Sequence, residues 1–318
     1  MLMFSLDTEG TLAAELAAGL DLELAPHEER RFEDGERKLR PLCDPRGDDV
    51  YVVHGLHGDA TDSPHDKLCA LLMFIATLRD HGAARVSAVL PYLAYARKDR
   101  RTKPFDPVNQ RYVAQLLEAV GTAQVFVLEA HNVAALQNAF RIPVIHLEAH
   151  HAFASAAQPH HAEPLAVASP DPGGVKRAQL WREDLEARLE RPVGFAMIDK
   201  RRSAGIVSSL DLVAGDVQGA TVLLLDDLIA SGGTLVRAVR ALRGAGARRV
   251  LAFAAHGLFI GDAPQALAEP AIERVVVTDS VPTLRVPPDG ALRHKLEIAS
   301  CVPLLSQAIR DSHASWSR

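Results

Sequence analysis

Two adjacent carboxylates, Asp226 and Asp227, follow the uncharged run TVLLL and precede a loop with almost no side chains, Ala230-Ser231-Gly232-Gly233-Thr234. Val222 to Leu225 read as a buried strand, too short and too β-branched at its start for a helix. The carboxylates are then expected at the carboxyl end of that strand, where open α/β sheets bind ligands. Beyond the loop, Leu235, Val236, Val239 and Leu242 recur with helical spacing. A small-residue loop at a helix N-terminus offers unpaired backbone N–H groups and a positive dipole end, which suit a phosphate. Paired carboxylates suit two neighbouring hydroxyls, such as the 2′ and 3′ positions of a ribose. The stretch reads as a sugar-phosphate site.

Other stretches follow the same logic. In SPDPGGVKR, the strand-like LAVAS ends in Asp171 and a Gly-Gly turn before a helix near Val175; Asp171 could ligate Mg²⁺ or cap the helix. LEAHN places His131 at the end of another buried strand. YARKDRRTK gathers cations in a loop, either a solvated patch or an anion clamp whose arginines offer paired donors to phosphate oxygens. IDKRRSAG sets Lys200, Arg201 and Arg202 ahead of a small-residue segment, either a surface loop or a lid that closes on a transferring phosphoryl group. FEDGE, from Phe32 to Glu36, reads by itself as an exposed charged turn.

These residues need strands to aim them. Strand-like runs (DVYVVHG, RVSAVLPYLAY, AQVFVLEA, IPVIHL, then LAVAS, GFAMID, TVLLLDD, RRVLAFAAHG and RVVVTDS) alternate with amphipathic segments such as DKLCALLMFIATLRDHG and VKRAQLWREDLEARLE. That alternation predicts an α/β fold with mostly parallel sheets. A chain of 318 residues favours two domains. EAHHAFASAAQPHHAEPLA breaks the periodic pattern and reads as a solvated connector, since its histidines lack partners at ligand spacing. The expected division is 1–148 and 149–318, with the final helix a candidate to pack on the first domain. A net charge of −5 argues against broad nucleic-acid binding. The opening MLMFSLDTEGTLAAEL lacks a basic region followed by an apolar core, and no apolar run reaches spanning length. Three cysteines without CxxC spacing point to a reducing cytoplasm, with Cys301 a buried structural thiol.

Taken in order, FEDGE, PYxxYARxDR, a strand ending in histidine, SPDxGGxKR, xDKRR and DDxxxSGGT resemble phosphoribosyl pyrophosphate synthetase, also called ribose-phosphate diphosphokinase. The resemblance runs from about residue 28 to about residue 285. It implies two tandem type I phosphoribosyltransferase-like domains and transfer of the pyrophosphoryl group of ATP to the 1-hydroxyl of ribose 5-phosphate, with Mg²⁺ as cofactor and AMP as the second product. By the same resemblance, Phe32, Asp34, Glu36, Arg97, Lys98 and Asp99 would bind ATP. His131 and Asp171 would serve the metal, and Lys200, Arg202 and His131 would carry catalysis. Asp226 and Asp227 would take the ribose hydroxyls, and Ser231, Gly232, Gly233 and Thr234 the 5-phosphate. A homo-oligomer, dimer or hexamer, is implied, with no nucleic-acid or membrane partner.

The chain departs from the family pattern at Ala230 and Glu129, where aspartates are usual, and at Pro104 and Phe105 in TKPFDP. Asp44 near Arg46 and the ending SHASWSR, without a hydroxyl-rich extension, lead to an expectation of weakened regulation by phosphate or ADP. Ala230 also leaves open a phosphoribosyltransferase that consumes the activated sugar, or a diphosphokinase for a related pentose phosphate. A non-catalytic synthetase-associated subunit would be expected to lose the lid cations or the carboxylate pair, and both are present.

Overall fold

The runs DVYVV, RVSAVL and QVFVL lack the alternation of a half-exposed strand because both of their faces are covered. The computed structural model of the chain describes residues 1–7, 11–199, 202–203, 206–207 and 212–316. By their internal contacts the residues form two units, one of Met1–Glu148 with Cys301–Arg318, the other of Ala149–Ser300.

The first unit begins with β1 (Leu2–Ser5) and α1 (Leu12–Gly19), then a hairpin of β2 (His27–Arg31) and β3 (Arg37–Pro41). It continues through β4 (Asp49–Val53), α2 (Pro64–Asp80), β5 (Arg85–Leu90), α3 (Asn109–Ala119), β6 (Gln124–Leu128), α4 (Val133–Ala139) and β7 (Val144–Leu147). Strands β1, β4, β5, β6 and β7 lie in that order, all parallel. Helix α2 shows how local sequence sets an element. The Ser63 hydroxyl accepts from Asp66 N–H, Asp66 Oδ2 accepts from Ser63 N–H (2.8 Å), and Pro64 opens the first turn. Leu68, Leu71, Phe74, Ile75 and Leu78 then bury one face against the sheet.

The second unit opens with short helical turns over 149–160, including α5 (Ala154–Ala157). Next come β8 (Leu165–Ser169), α6 (Val175–Leu189), β9 (Gly194–Asp199), the two-residue strands β10 (Arg202–Ser203) and β11 (Ile206–Val207), β12 (Leu212–Ala214) and β13 (Thr221–Ile229). It closes with α7 (Gly233–Gly244), β14 (Arg249–Gly257), α8 (Ala263–Leu267), β15 (Arg274–Thr278) and β16 (Leu296–Ala299). The sheet order is β12-β9-β8-β13-β14-β15-β16, parallel except for β12 against β9. The histidine-rich stretch is not a solvated connector. Phe153 is fully buried, its ring 5.3 Å from Phe253 and 6.0 Å from Trp181, and His150 and His160 are buried too. The aromatic contacts draw these turns into the core of the second unit.

The last helix, α9 (Val302–Trp316), belongs to the first unit and packs beside α1. Its anchor is Asp49, the buried first residue of β4. The carboxylate accepts from Arg85 Nε (2.7 Å) and Nη2 (2.5 Å), Tyr51 OH (3.1 Å) and His313 Nδ1 of α9 (2.7 Å). Gln124 Nε2 donates to Ser312 Oγ on the same helix (2.7 Å). Burial alone would raise the Asp49 carboxyl pKa; the bonds from Arg85 and His313 outweigh it and hold the group below its ordinary value. A lowered carboxyl contributes stability that is present above the unfolded pKa and is lost as pH falls through the folded one. Asp49→Asn is expected to lower the melting temperature at neutral pH, with a loss approaching the roughly 3–5 kcal/mol of a broken buried pair. Thermal melts at falling pH should show the gap to the native chain narrow only as the pH drops through the lowered folded pKa, where the native carboxyl is itself neutralised.

Candidate active site

In the second unit, β8 has β9 on one side and β13 on the other, so chain connections leave it in opposite directions and a crevice opens at the carboxyl ends. Strand β13 pairs with β14 through Ile229 but with β8 only through Leu224. Asp226 and Asp227 therefore lie within the strand, not past its end, and the edge that faced β8 is open beside them. Asp227 is buried and its N–H donates to Asp226 Oδ1 (2.9 Å). Burial, and then the charge and hydrogen bond of Asp227, raise the Asp226 pKa to about 8, while Arg177 acts to lower it.

Arg177 was not singled out from the sequence, although its place in the first turn of a helix after Asp-Pro-Gly-Gly was a signal. Its guanidinium lies against the turn: a Cβ on Gly174 would stand 3.4 Å from Arg177 Nη1 and 2.7 Å from Ser169 Oγ. Glycine at 174 thus lets a cation fold over the end of β8. Asp171 holds the turn, its Oδ1 accepting from the N–H groups of Gly173 (2.9 Å) and Gly174 (3.3 Å). Its Oδ2 makes no hydrogen bond among the described residues.

The small-residue loop is built to reach α7. Ile229 and Ala230 carbonyls accept from the N–H groups of Leu258 (2.9 Å) and Ile260 (2.9 Å), which clamps the loop to the end of β14. Gly232 sits at φ +77°, and a Cβ there would come within 3.0 Å of Leu267, so a side chain is excluded on both counts. The first helical bond runs from Val236 N–H to Gly232 O (3.0 Å). The N–H groups of Gly233, Thr234 and Leu235 make none among the described residues, so the helix end next to the carboxylates presents donors of the kind that suit an anion. Leu235, Val236, Val239 and Leu242 are buried, as their spacing predicted.

In the first unit, FEDGE is the tip of the β2–β3 hairpin. Phe32 N–H donates to Glu36 O (2.8 Å) and Gly35 N–H to Phe32 O (3.0 Å), and Gly35 adopts φ +94°, the three-residue loop that closes with a glycine bulge. Asp34 Oδ1 accepts from Glu36 N–H (3.1 Å), so it shapes the turn, while Glu36 is exposed. Arg97 is exposed and unpaired among the described residues. Lys98 is engaged within its loop by Asp106 Oδ2 (2.5 Å), which also accepts from Thr102 Oγ1 (2.7 Å). Asp99 Oδ2 accepts from Asn132 Nδ2 (2.7 Å), tying this loop to the residue after the exposed His131. Asp44 occupies Arg46, with Arg46 Nη2 donating to Asp44 Oδ2 (2.5 Å). At the ends of β1 and β4 the structure adds a cluster the sequence did not reveal. His54 Nδ1 pairs with Asp7 Oδ1 (2.9 Å), and burial, then Lys67, lowers the nearby His57 pKa to about 4. Lys200 lies outside the described residues, as does the side chain of Arg202, whose backbone forms β10.

Residues 1–121 match the family model described as the N-terminal domain of ribose phosphate pyrophosphokinase, and residues 142–317 the model described as the phosphoribosyl synthetase-associated domain. A ribose-phosphate pyrophosphokinase of Caldanaerobacter subterraneus subsp. tengcongensis is 36% identical over 99% of this chain and 95% of its own length. The chain belongs to the ribose-phosphate pyrophosphokinase family. The pyrophosphokinase of Listeria ivanovii is 34% identical over the same shares. A solved phosphoribosylpyrophosphate synthetase from Mycobacterium smegmatis superposes with a TM-score of 0.87 at 32% identity, covering 99% of both chains.

The raised Asp226 carboxyl fixes the sign of a pH effect in this member of the pyrophosphokinase family. An acid whose folded pKa is raised holds its proton more tightly when folded. Its cost to stability is absent below the unfolded carboxyl pKa and complete above about 8. Asp226→Asn is expected to raise the melting temperature, by an amount that grows from about pH 5 to about pH 9. Scanning calorimetry across that range checks it; a constant gain at every pH would contradict the charge explanation.

Proposed function

We infer that this chain carries the activity for which its relatives are named, moving the pyrophosphoryl group of ATP to the 1-hydroxyl of ribose 5-phosphate and releasing AMP. The observation that carries the reading is the carboxylate pair beside the unpaired N-terminus of α7 at the switch point of the second unit. Asp226 and Asp227 suit the 2′ and 3′ hydroxyls, which donate to them in charge-assisted bonds, and Ser231 to Thr234 suit the 5-phosphate. On the first unit, Phe32 and Glu36 suit the nucleobase, Arg97 is a cation available for ATP, and Asp34, Lys98 and Asp99 hold the loops that carry them.

The 1-hydroxyl oxygen attacks the β-phosphorus as the bond from that phosphorus to the bridging oxygen of AMP breaks. Protein help for such a transfer is positioning and neutralisation of the phosphoryl oxygens. Lys200 and Arg202 are the proposed cations for that charge. The uncommitted Asp171 Oδ2 is a hard donor that fits Mg²⁺, and by the family resemblance His131 would serve the metal or its phosphates. Bound Mg²⁺ would supply further neutralisation of the phosphates. Three free thiols, Cys69 exposed among them, suit a cytoplasmic setting. We also read the chain as a homo-oligomer, dimer or hexamer; constant specific activity in a monomer across dilution, followed by light scattering, would count against that.

Formation of AMP from ATP and Mg²⁺ should depend on a pentose 5-phosphate, with ribose 5-phosphate preferred in a panel. ATP consumption that ignores the sugar phosphate would overturn the reading. Asp227→Ala should stay folded and weaken sugar-phosphate binding by roughly 1.5–3 kcal/mol for each charge-assisted bond lost. Lys200→Ala should lower kcat far more than it changes either KM, toward the about 10³–10⁵-fold worth of a cation supplied to a phosphoryl transition state. Near-normal turnover in Lys200→Ala would reduce that loop to a charged surface turn.

A further inference from the structure

The hairpin that ends in FEDGE has two faces of different chemistry. Alternation along paired strands puts Glu29, Arg31, Arg37 and Leu39 on the inner face and Glu28, Arg30, Phe32, Glu36, Lys38 and Arg40 on the outer one. Inner cations are neutralised. Arg31 donates to Asp62 Oδ2 (2.8 Å), and Arg37 pairs with Glu29 (3.2 Å) and with Asp62. On the outer face a single carboxylate, Glu28, serves both Lys38 (3.2 Å) and Arg40 (2.5 Å).

Arg30 is left over. It stands opposite Lys38 in the register, a like-charge pair that disfavours the hairpin, and no carboxylate pairs with it among the described residues. Its guanidinium lies over Phe32, the carbon 4.8 Å from the ring centroid. A guanidinium at that distance is drawn to the ring's negative face and restrains the ring's orientation. The tip therefore presents a half-exposed aromatic ring held by an unneutralised cation. A ring restrained in this way suits stacking with a nucleobase.

We propose that Arg30 is a positioning residue for the nucleotide, fixing Phe32 as a nucleobase platform. This rests on the reading that Phe32 contacts ATP. Stacking, not bidentate capture, is the role, so the residue acts on binding and has no part in the transfer step.

The test is steady-state kinetics on the full chain with Arg30→Ala, Arg30→Lys, Phe32→Ala and the double variant, varying ATP and ribose 5-phosphate separately. Arg30→Ala should raise the KM for ATP about 2- to 5-fold, the size of a cation–π contact at an exposed site, with kcat and the sugar-phosphate KM unchanged and no fall in the melting temperature. Arg30→Lys should recover part of the loss. The double variant should be no worse than Phe32→Ala, because Arg30 acts through the ring. If Phe32→Ala raises the KM for ATP and Arg30→Ala does not, the inference fails and the nucleotide reading of FEDGE stands. If Phe32→Ala leaves that KM unchanged, the nucleotide reading itself fails. Equal falls in kcat and in affinity for both substrates with a lower melting temperature in Arg30→Ala would show a role confined to folding and would overturn the proposal.

Discussion

Strand β13 outlasts its neighbour β8, and most of the candidate site follows from that difference in length. Through Leu224 it is a central strand with partners on both sides; from Asp226 to Ile229 it has β14 on one side only. A carboxylate in a fully paired central strand would be walled in. Here the pair is supported by β14 behind and faces a crevice in front, held in position before any ligand arrives. The Gly-Gly turn after β8 and the small-residue loop after β13 flank the same opening. Gly174 and Gly232 are bare because the space beside each is occupied, by Ser169 and Arg177 in one case and by Leu267 in the other.

Charge is treated in two ways in this molecule. At two places where it supports the fold it is well paired: Asp49 is bonded by Arg85, Tyr51 and His313, and Asp106 accepts from Lys98, Thr102 and Lys103 inside its loop. Where the candidate site stands, charge is left unbalanced. In the second unit the charge of Asp227 raises the Asp226 carboxyl and α7 presents N–H groups without partners among the described residues; in the first unit Arg97 and Arg30 have no carboxylate among the described residues. Unsatisfied groups of this kind lower stability, and natural proteins retain them where a ligand completes them. The acid shift of Asp49 and the alkaline shift of Asp226 are thus opposite signs of one rule, since each reports whether the neighbours favour the charged form.

Much of the fold and of the candidate site is legible in the order of residues alone. Apolar runs in β4, β5, β6, β8, β13 and β14, the helical spacing after Gly232 and the turn chemistry of FEDGE are local patterns, and each forms the element its period predicts. The order and spacing of the motifs carried the family, because glycines, paired carboxylates and loop cations recur there in a fixed order along the chain.

What the sequence left open depends on partners far along the chain. No local signal says that β13 keeps pairing with β14 after losing β8, since strand length is set by neighbours. Arg177 looks like any surface cation until Gly174 lets it fold over the crevice. Phe153 sits in a stretch that reads as polar connector, and only Trp181 and Phe253 draw it into a core. Helix α9 could be read from the sequence only as a candidate for the first unit; its buried Leu305 and Ile309, and the bond from His313 to the buried Asp49 carboxylate, tie it there. Local periodicity determined the elements and the chemistry each could carry. Only tertiary packing decided which groups were satisfied and which remained free, because satisfaction belongs to pairs of residues that the chain brings together from a distance.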